Sequence, residues 1–411
     1  MSQSLETKLM SILFKIQGYS IRNINIDEVR NRIVIDLDEI SNVQSSTCLY
    51  DHARYDSTIQ EILIGVSFGM PVYGRIKVFR YKCDYCGILT KRQTISEGKQ
   101  RYSKAMSKDI LRYTALMDNQ SVSKLLGIPS RTIYRIDFNG LSTLCEEYEK
   151  DMSAPSILSV DEVAYKRGHN YATILTEYNE SKVLWISKGR KSIDLKRAYK
   201  KFGKSLKNCQ VVTLDFWKAY ETATTKAIPK AKLVYDRFHL SRILNRKIEE
   251  ERREYQKDLS KEERKYIKKN YRWIILKRRS NLNEENLLDL EKLKINNEPL
   301  YEMYLLKESF LSIFSLEKER DVAQKEILNW IDNILLTEYK KLKSFARSLI
   351  KRMDDILNWF DFNISNAKSE GINNVIKTVL KRAYGYKNFD YFRMKVLQKS
   401  GYLMNYLKWD F

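Results

Sequence analysis

The 411-residue sequence predicts a multidomain α+β protein with an α/β core that a helical segment interrupts. Three observations lead to this class. The chain is longer than one small domain, at about 150 residues per domain. Residues 156–258 alternate short β-branched runs with helical patterns in the order β-β-β-α-β-α-β-α. Charged helical sequence then continues to about residue 350 before a last amphipathic stretch.

The composition points to a polyanionic partner. Lys and Arg number 74 against 52 Asp and Glu, a formal charge of +22, while 43% hydrophobic residues are enough for real cores. No apolar run approaches the roughly 18 residues that span a bilayer, and the N-terminus lacks the pattern of a signal peptide. Five cysteines, an odd number, do not make a disulfide framework. We therefore expect a nucleic-acid partner, no membrane, and a cytoplasmic, nucleoid-associated protein.

The N-terminal region predicts an α/β segment over residues 1–47 and a zinc-ribbon-like module over residues 48–92. The module contains one CxxC pair in "YKCDYCG", and its upstream half is incomplete, with Cys48 followed by Asp51 or His52. A structural zinc site takes four ligands in tetrahedral geometry. The candidate zinc ligands are Cys48, His52, Cys83 and Cys86, and two unmetallated cysteines are the alternative interpretation.

Residues 93–150 predict a helix-turn-helix DNA-binding region. In "SVSKLLGIPSRTIYRI", residues 121–136, two helical patterns flank "GIP", and the second begins near Ser130. Such a helix would direct Arg131 and Arg135 toward a major groove. Residues 74–113 hold 11 Lys and Arg against 3 Asp and Glu, which favours DNA over the alternative, a plain helical hairpin.

Residues 155–250 predict the first part of a ribonuclease H-like core. Three meandering strands followed by alternating helices and strands are typical of that fold, in which the first strand lies beside the fourth. Asp161 lies within the first strand and Asp215 ends the fourth, so the two should be neighbours. A buried carboxylate costs several kcal/mol unless a cation or partner compensates it. The pattern therefore predicts a metal site.

Residues 251–355 predict a helical insertion, and residues 356–411 the last part of the core. Residues 241–280 carry 15 Lys and Arg against 7 Asp and Glu, with aromatics in "KKNYRWIILKRR", which indicates a surface along phosphates that includes Lys277. In "SNAKSEGINNVIKTVLKRAYGYKN", residues 365–388, a helical projection puts Ile372, Val375, Ile376, Val379 and Ala383 on one face. The opposite face holds Glu370, Asn374, Lys377 and Lys381, which could also be an ordinary solvated face.

The sequence resembles the bacterial insertion-sequence transposases of the ISL-three family. The resemblance lies in "VDEVAYKRGHNYATI", "LDFWKAY", "KLVYDRFHL" and "SNAKSEGINNVIKTVLKRAYGYKNF", in this order. It implies that Asp161, Asp215 and Glu370 are the catalytic residues of a DDE transposase and hold Mg²⁺ or Mn²⁺, as two ions. Asp236 and His239 of "DRFH" resemble a supportive DxxH signature. The family's ribbon has two CxxC pairs, and this sequence departs from that pattern.

The resulting functional prediction is a DNA transposase. It would bind the terminal inverted repeats of its insertion sequence and catalyse metal-dependent DNA cleavage and strand transfer, with Asn374, Lys377 and Lys381 along a bound strand. Its partners would be these repeats and target double-stranded DNA, and synapsis of two ends requires a homodimer or larger assembly. The alternatives are a catalytically silent descendant, acting as a repressor or architectural DNA-binding protein, and a nuclease on the same fold.

Overall fold

The computed structural model of the protein describes residues 12–14, 16, 18–40, 53–90, 94–98, 100–314, 318–364 and 367–407. The chain forms two compact units, the first comprising Met1–Asp151 with Ile376–Phe411 and the second Met152–Val375. The chain therefore returns to the first unit after Val375, inside the segment 356–411 that the sequence predicts as one piece.

A mixed sheet forms the N-terminal part of the first unit. Its strands are β1 (Tyr19–Asp27), β2 (Arg32–Glu39), β3 (Ala53–Ser67), β4 (Met70–Cys83) and β5 (Gly87–Thr90). The order is β1-β2-β4-β3, with β5 paired to β4, and only the β2–β4 pair is parallel. A two-residue turn, Phe68–Gly69, joins the long β3–β4 hairpin with positive φ at both residues, as such tight hairpins require.

Three helices follow this sheet: α1 (Lys104–Leu116), α2 (Asn119–Leu126) and α3 (Ser130–Asp151). The Asp118 carboxylate caps α2 by accepting the backbone N–H groups of Gln120 and Ser121. Gly127 ends α2 at φ 66°, and a Cβ there would lie 2.6 Å from the carbonyl oxygen of Gly69, so glycine is needed for both reasons. Buried side chains join the three helices into one core, among them Met106, Ile110, Val122, Leu126, Ile133 and Ile136.

The second unit is built on a five-stranded sheet. Its strands are β6 (Ile157–Lys166), β7 (Asn170–Glu177), β8 (Lys182–Lys188), β9 (Val211–Leu214) and β10 (Lys232–Tyr235), in the order β10-β9-β6-β7-β8. Strands β6, β9 and β10 are parallel, and β7 is antiparallel to both of its neighbours. The connecting helices are α4 (Ser192–Phe202), α5 (Lys218–Ala227) and α6 (Arg237–Tyr255). The first strand lies beside the fourth, as the order of elements predicts.

A helical segment continues the second unit. It contains α7 (Lys261–Asn270), α8 (Arg272–Leu276), α9 (Glu284–Asn296), α10 (Glu298–Ile313), α11 (Arg320–Leu336), α12 (Lys340–Ile350) and α13 (Met353–Phe362). Aromatic rings fill its interior, with the Phe310 centroid 4.8 Å from Trp330 and 5.6 Å from Phe345. Helix α13 returns to the sheet, where the Asn358 amide donates to the Leu233 carbonyl of β10 at 2.8 Å. The charged segment thus has a core of its own.

Two helices end the described chain, α14 (Ala367–Arg382) and α15 (Phe389–Ser400). The predicted faces of α14 are confirmed, because Ile372, Ile376 and Val379 are buried. The opposite face is exposed, and it holds Glu370, Asn374, Lys377 and Lys381. Across the described ranges, every helix is too short or too polar to cross a membrane.

Candidate metal centre

Three aspartates lie at equivalent positions on three adjacent parallel strands. Val160 of β6 pairs with Leu214 of β9, and Leu214 pairs with Tyr235 of β10. The residue after each of these three is an aspartate: Asp161 within β6, Asp215 directly after β9 and Asp236 directly after β10. Neighbouring strands are about 4.8 Å apart, so one row of carboxylates crosses the sheet where β9 and β10 end. This edge of a parallel sheet is the usual place for a ligand site.

Asp215, Asp236 and His239 offer ligand atoms that all lie within 4.8 Å of one another. The Nε2 atom of His239 lies 3.1 Å from Asp215 Oδ1 and 3.8 Å from Asp236 Oδ2. Asp236 is also the N-cap of α6, because its Oδ1 accepts the Phe238 backbone N–H at 2.9 Å. The cap fixes the first turn of α6 and therefore the position of His239, which lies in that turn.

The electrostatics of this group are unfavourable without a cation. Burial raises the pKa of Asp215 well above its ordinary value, and the nearby carboxylates of Asp161, Asp236 and Glu162 raise it further. Burial lowers the pKa of His239 to about 4, with a smaller contribution from Arg242. The imidazole is therefore neutral near pH 7 and presents a lone pair. A buried, crowded carboxylate beside a neutral imidazole is stabilised when a divalent cation shares the cavity.

The donor set fits a divalent metal ion. Carboxylate oxygens suit Mg²⁺ and Mn²⁺, and a single imidazole is compatible with Mn²⁺. Asp161 lies close enough to raise the pKa of Asp215, although it is outside the group of three. Its Oδ2 accepts a hydrogen bond from Asn373 at 2.6 Å. Asp215, Asp236 and His239 would hold an ion, with Asp161 beside them.

The first turns of α14 pack against β6. The Ser369 and Ser159 hydroxyl oxygens are 3.2 Å apart, and Asn373 donates to Asp161 one turn later. Glu370 is exposed and is not among the three clustered ligands. At 100° per residue it lies about 60° around the helix from Asn373. Glu370 therefore borders the face of α14 that contacts β6.

The residues predicted to contact DNA are all exposed. Arg131 and Arg135 lie on the outer face of α3, and Lys277 follows the last residue of α8. Asn374, Lys377 and Lys381 continue the exposed face of α14 that starts at Glu370. Their exposure is compatible with DNA binding, which stays a prediction for each of them.

The zinc hypothesis rests on residues that are only partly described. Cys83 ends β4, Cys86 precedes β5, and the Cys86 backbone N–H donates to Cys83 Sγ at 3.4 Å. Cys83 is buried and Cys86 is exposed. Cys48 and His52 lie outside the described residues, so zinc binding by Cys48, His52, Cys83 and Cys86 stays a prediction.

The sequence predicts Asp236 and His239 as supportive residues and gives no indication of Asn373. The signal for Asp236 was present, since "VVTLD" and "KLVYD" are two buried strands that each end in aspartate. Two such strands in one parallel sheet place their final carboxylates side by side. Asn373 has no comparable signal, because a polar residue beside an apolar helix face is ordinary.

The chain is similar in sequence to known transposases. The family model for DDE transposases of the ISL-three family, described as a transposase, matches residues 158–396. The transposase for insertion sequence element IS1001 of Bordetella parapertussis is 26% identical over 401 residues, which cover 95% of this chain and 98% of that protein. The transposase for insertion sequence element IS1557 of Mycobacterium tuberculosis is 22% identical over 256 residues, covering 56% of this chain and 57% of that protein.

Among solved structures, the Drosophila P element transposase strand transfer complex is similar at 13% sequence identity, with a TM-score of 0.36. The similarity covers 74% of this chain and 93% of that one. The family model matches more than half of the present chain and includes all three aligned aspartates. The protein belongs to the ISL-three family of DDE transposases encoded by insertion sequences.

Proposed function

We propose that the protein binds the terminal inverted repeats of its own insertion sequence and catalyses DNA cleavage and strand transfer at their ends. The observation that carries this proposal is the row of Asp161, Asp215 and Asp236 across β6, β9 and β10, where burial and then the neighbouring carboxylates raise the pKa of Asp215. A cluster of negatively charged carboxylates binds metal cations, and displacement reactions at phosphorus use such cations beside the phosphate. Family membership supplies the reaction class.

We assign the second unit to the ribonuclease H-like fold, with a helical insertion before α14. The strand order β10-β9-β6-β7-β8, with β7 as the antiparallel strand inside the sheet, supports this assignment. For the first unit, the α2–Gly127–α3 turn supports a helix-turn-helix.

Asp161, Asp215 and Glu370 are the proposed catalytic residues and ligands of Mg²⁺ or Mn²⁺. When bound, two such ions supply the charge that stabilises the attacking and leaving oxygens of an in-line displacement at phosphorus. The protein positions these carboxylates. Asn373 orients Asp161 through the 2.6 Å hydrogen bond, and α14, fixed on β6, holds Glu370 at the border of the same face. Asp236 and His239 support this site, because both offer ligand atoms beside Asp215 and would share an ion with it, and Asp236 also caps the helix that carries His239.

The DNA surface has two proposed parts. Arg131 and Arg135 on α3 would read base edges of the terminal repeat, whereas Lys277, Asn374, Lys377 and Lys381 would follow phosphates and contribute no sequence preference. The formal net charge of +22 supports a polyanionic partner such as DNA. Joining two ends to target double-stranded DNA requires a homodimer or larger assembly.

The test is a strand-transfer assay with the full chain and a pre-cleaved terminal-repeat duplex. We expect joining to target DNA with Mg²⁺ or Mn²⁺ and none with Ca²⁺ alone, because Ca²⁺ accepts loose, high-coordination geometry. Joining in excess chelator would contradict the metal-dependent mechanism. The assay also separates the alternatives, since a silent DNA-binding descendant binds the duplex without product and a nuclease gives only hydrolysis.

A further inference from the structure

The first unit contains a cavity of about 400 Å³ that the proposed function does not use. It lies between the α1–α2 turn, α3 and the segment joining α14 to α15. We propose that this cavity takes one unpaired nucleotide of a DNA strand, with the base inside and its phosphate at the rim. The proposal rests on the proposed function for the identity of the polymer. Its volume falls within the range of about 300–1,000 Å³ typical of small-ligand sites.

Tyrosine rings form the walls. Tyr134 and Tyr391 contact edge to face with centroids 4.8 Å apart, and Tyr386 lies 5.6 Å from Tyr391. Tyr384 is 99% exposed at the cavity edge and has φ 51°, a backbone conformation uncommon for a tyrosine. An exposed aromatic ring beside a cavity offers a stacking surface, and every base has a π-face that can use it.

The cavity floor is fixed before any ligand arrives. Asp137 is fully buried and accepts hydrogen bonds from the Tyr391 hydroxyl at 2.5 Å and the Lys395 ammonium at 3.1 Å. Lys395 also donates to the Thr114 carbonyl, and Asn119 donates to the Tyr391 hydroxyl, both at 2.8 Å. These bonds set the Tyr391 ring in place, so a ligand would not have to order it.

Gln398 is a polar residue of the lining whose side chain is already held in place. It is 5% exposed, and its Nε2 donates to the Leu111 carbonyl at 2.8 Å. Like the hydrogen bonds of Asp137 and Lys395, this bond fixes the lining before any ligand arrives.

Positively charged side chains lie at the rim of the cavity. Arg382, Lys387 and Lys399 are exposed residues of the lining. Arg382 also donates to the Leu116 carbonyl at 3.0 Å, which holds its guanidinium at the edge of the cavity. Aromatic walls, a fixed polar floor and a cationic rim together match a nucleotide. A free nucleotide has the same chemistry as a nucleotide within a strand, and the experiment distinguishes the two.

The experiment is photocrosslinking of the full chain, in chelator, to a terminal-repeat duplex with a short single-stranded tail that carries 5-iodouracil. We expect mass spectrometry to locate the crosslink on the cavity tyrosines. Two variants, Tyr384→Asn and Arg382→Ala, should lower the yield at least about fivefold, the effect of losing one base–aromatic contact. Asparagine tolerates the positive φ of Tyr384. The matched controls, Tyr55→Ala and Lys150→Ala, change exposed residues outside the cavity lining and should keep the wild-type yield.

Millimolar thymidine monophosphate identifies the source of the nucleotide. If it leaves the crosslink unchanged, the cavity takes a nucleotide of the strand; if it abolishes the crosslink, the cavity takes free nucleotide by the same contacts. Crosslinks confined to other peptides, with Tyr384→Asn at the wild-type yield, would overturn the proposal. Catalysis plays no part in chelator, so failure of strand transfer and failure of this crosslink are separate results.

Discussion

Both units bury aspartate side chains, and the carboxylates of Asp137 and Asp215 have opposite environments. Asp137 in the first unit accepts hydrogen bonds from Lys395, Tyr391 and Thr114, so a cation and two hydroxyls compensate its charge. Asp215 in the second unit has three other carboxylates nearby, and its close partner is the neutral imidazole of His239. Burial alone therefore does not identify a functional acid. The distinguishing property is whether the protein itself supplies the compensating charge.

The largest expected effect belongs to the uncompensated site. Glu370→Gln and Asp161→Asn keep side-chain shape and remove the charge, and each should reduce strand transfer at least about a thousandfold while DNA binding persists. The measurement is joining of pre-cleaved ends beside a mobility-shift assay. Double variants should be no worse than the single ones, because the residues act as a unit. An active Glu370→Gln with an inactive Asp236→Asn would show that Asp236 is the essential carboxylate.

Removal of Asp137, whose charge Lys395 compensates, should lower the stability of the fold without a direct effect on catalysis. Asp137→Ala leaves the buried Lys395 ammonium without its carboxylate, and we expect a loss of about 3–5 kcal/mol in the free energy of unfolding. Urea denaturation of the full chain measures this loss. The double variant Asp137→Leu with Lys395→Met should recover much of the stability, since replacing both ions leaves no unpaired charge. A stable Asp137→Ala would remove the contrast between the two aspartates.

Removal of the charge at Asp215 should raise the free energy of unfolding, whereas its removal at Asp137 lowers it. Asp215→Asn relieves the repulsion among buried carboxylates, so the metal-free variant should unfold with a free energy about 1 kcal/mol higher than wild type. Added Mn²⁺ should raise the melting temperature of wild type and leave that of the variant unchanged. Thermal denaturation with and without Mn²⁺ tests both statements. Destabilisation of the metal-free variant would mean that Asp215 has a compensating partner.

The smallest expected effect is the release of a proton from Asp215 when Mn²⁺ binds. Because the pKa of Asp215 is raised, its metal-free carboxyl keeps its proton to a higher pH than an ordinary aspartate does, whereas a metal ion binds the ionised carboxylate. Below the pH at which Asp215 ionises, Mn²⁺ binding should therefore release a proton, and the affinity for Mn²⁺ should rise with pH until Asp215 is fully ionised. Calorimetry in two buffers of different ionisation enthalpy measures the release. Asp215→Asn is the control, and an equal release from it would exclude Asp215 as the source.

Local patterns predicted much of this molecule, and contacts between distant residues escaped them. Alternating strands and helices predicted that β6 and β9 are neighbours, and a 100° projection predicted both faces of α14. The Asp137–Lys395 pair joins residues 258 positions apart and has no periodic signal in either helix. The contact from Asn373 to Asp161 likewise depends on how α14 packs on β6, which residue spacing does not determine.

The alignment of Asp161, Asp215 and Asp236 across the sheet also determines where the protein tolerates the insertion of single residues. Side chains alternate between the two faces of a sheet, so one codon inserted within Val211–Leu214 would turn Asp215 to the wrong side. The same codon inserted in the turn at 179–181, between β7 and β8, would leave every pairing of β6, β9 and β10 in place. Among natural relatives, single-residue insertions should therefore accumulate in that turn and be absent between each strand and its aspartate.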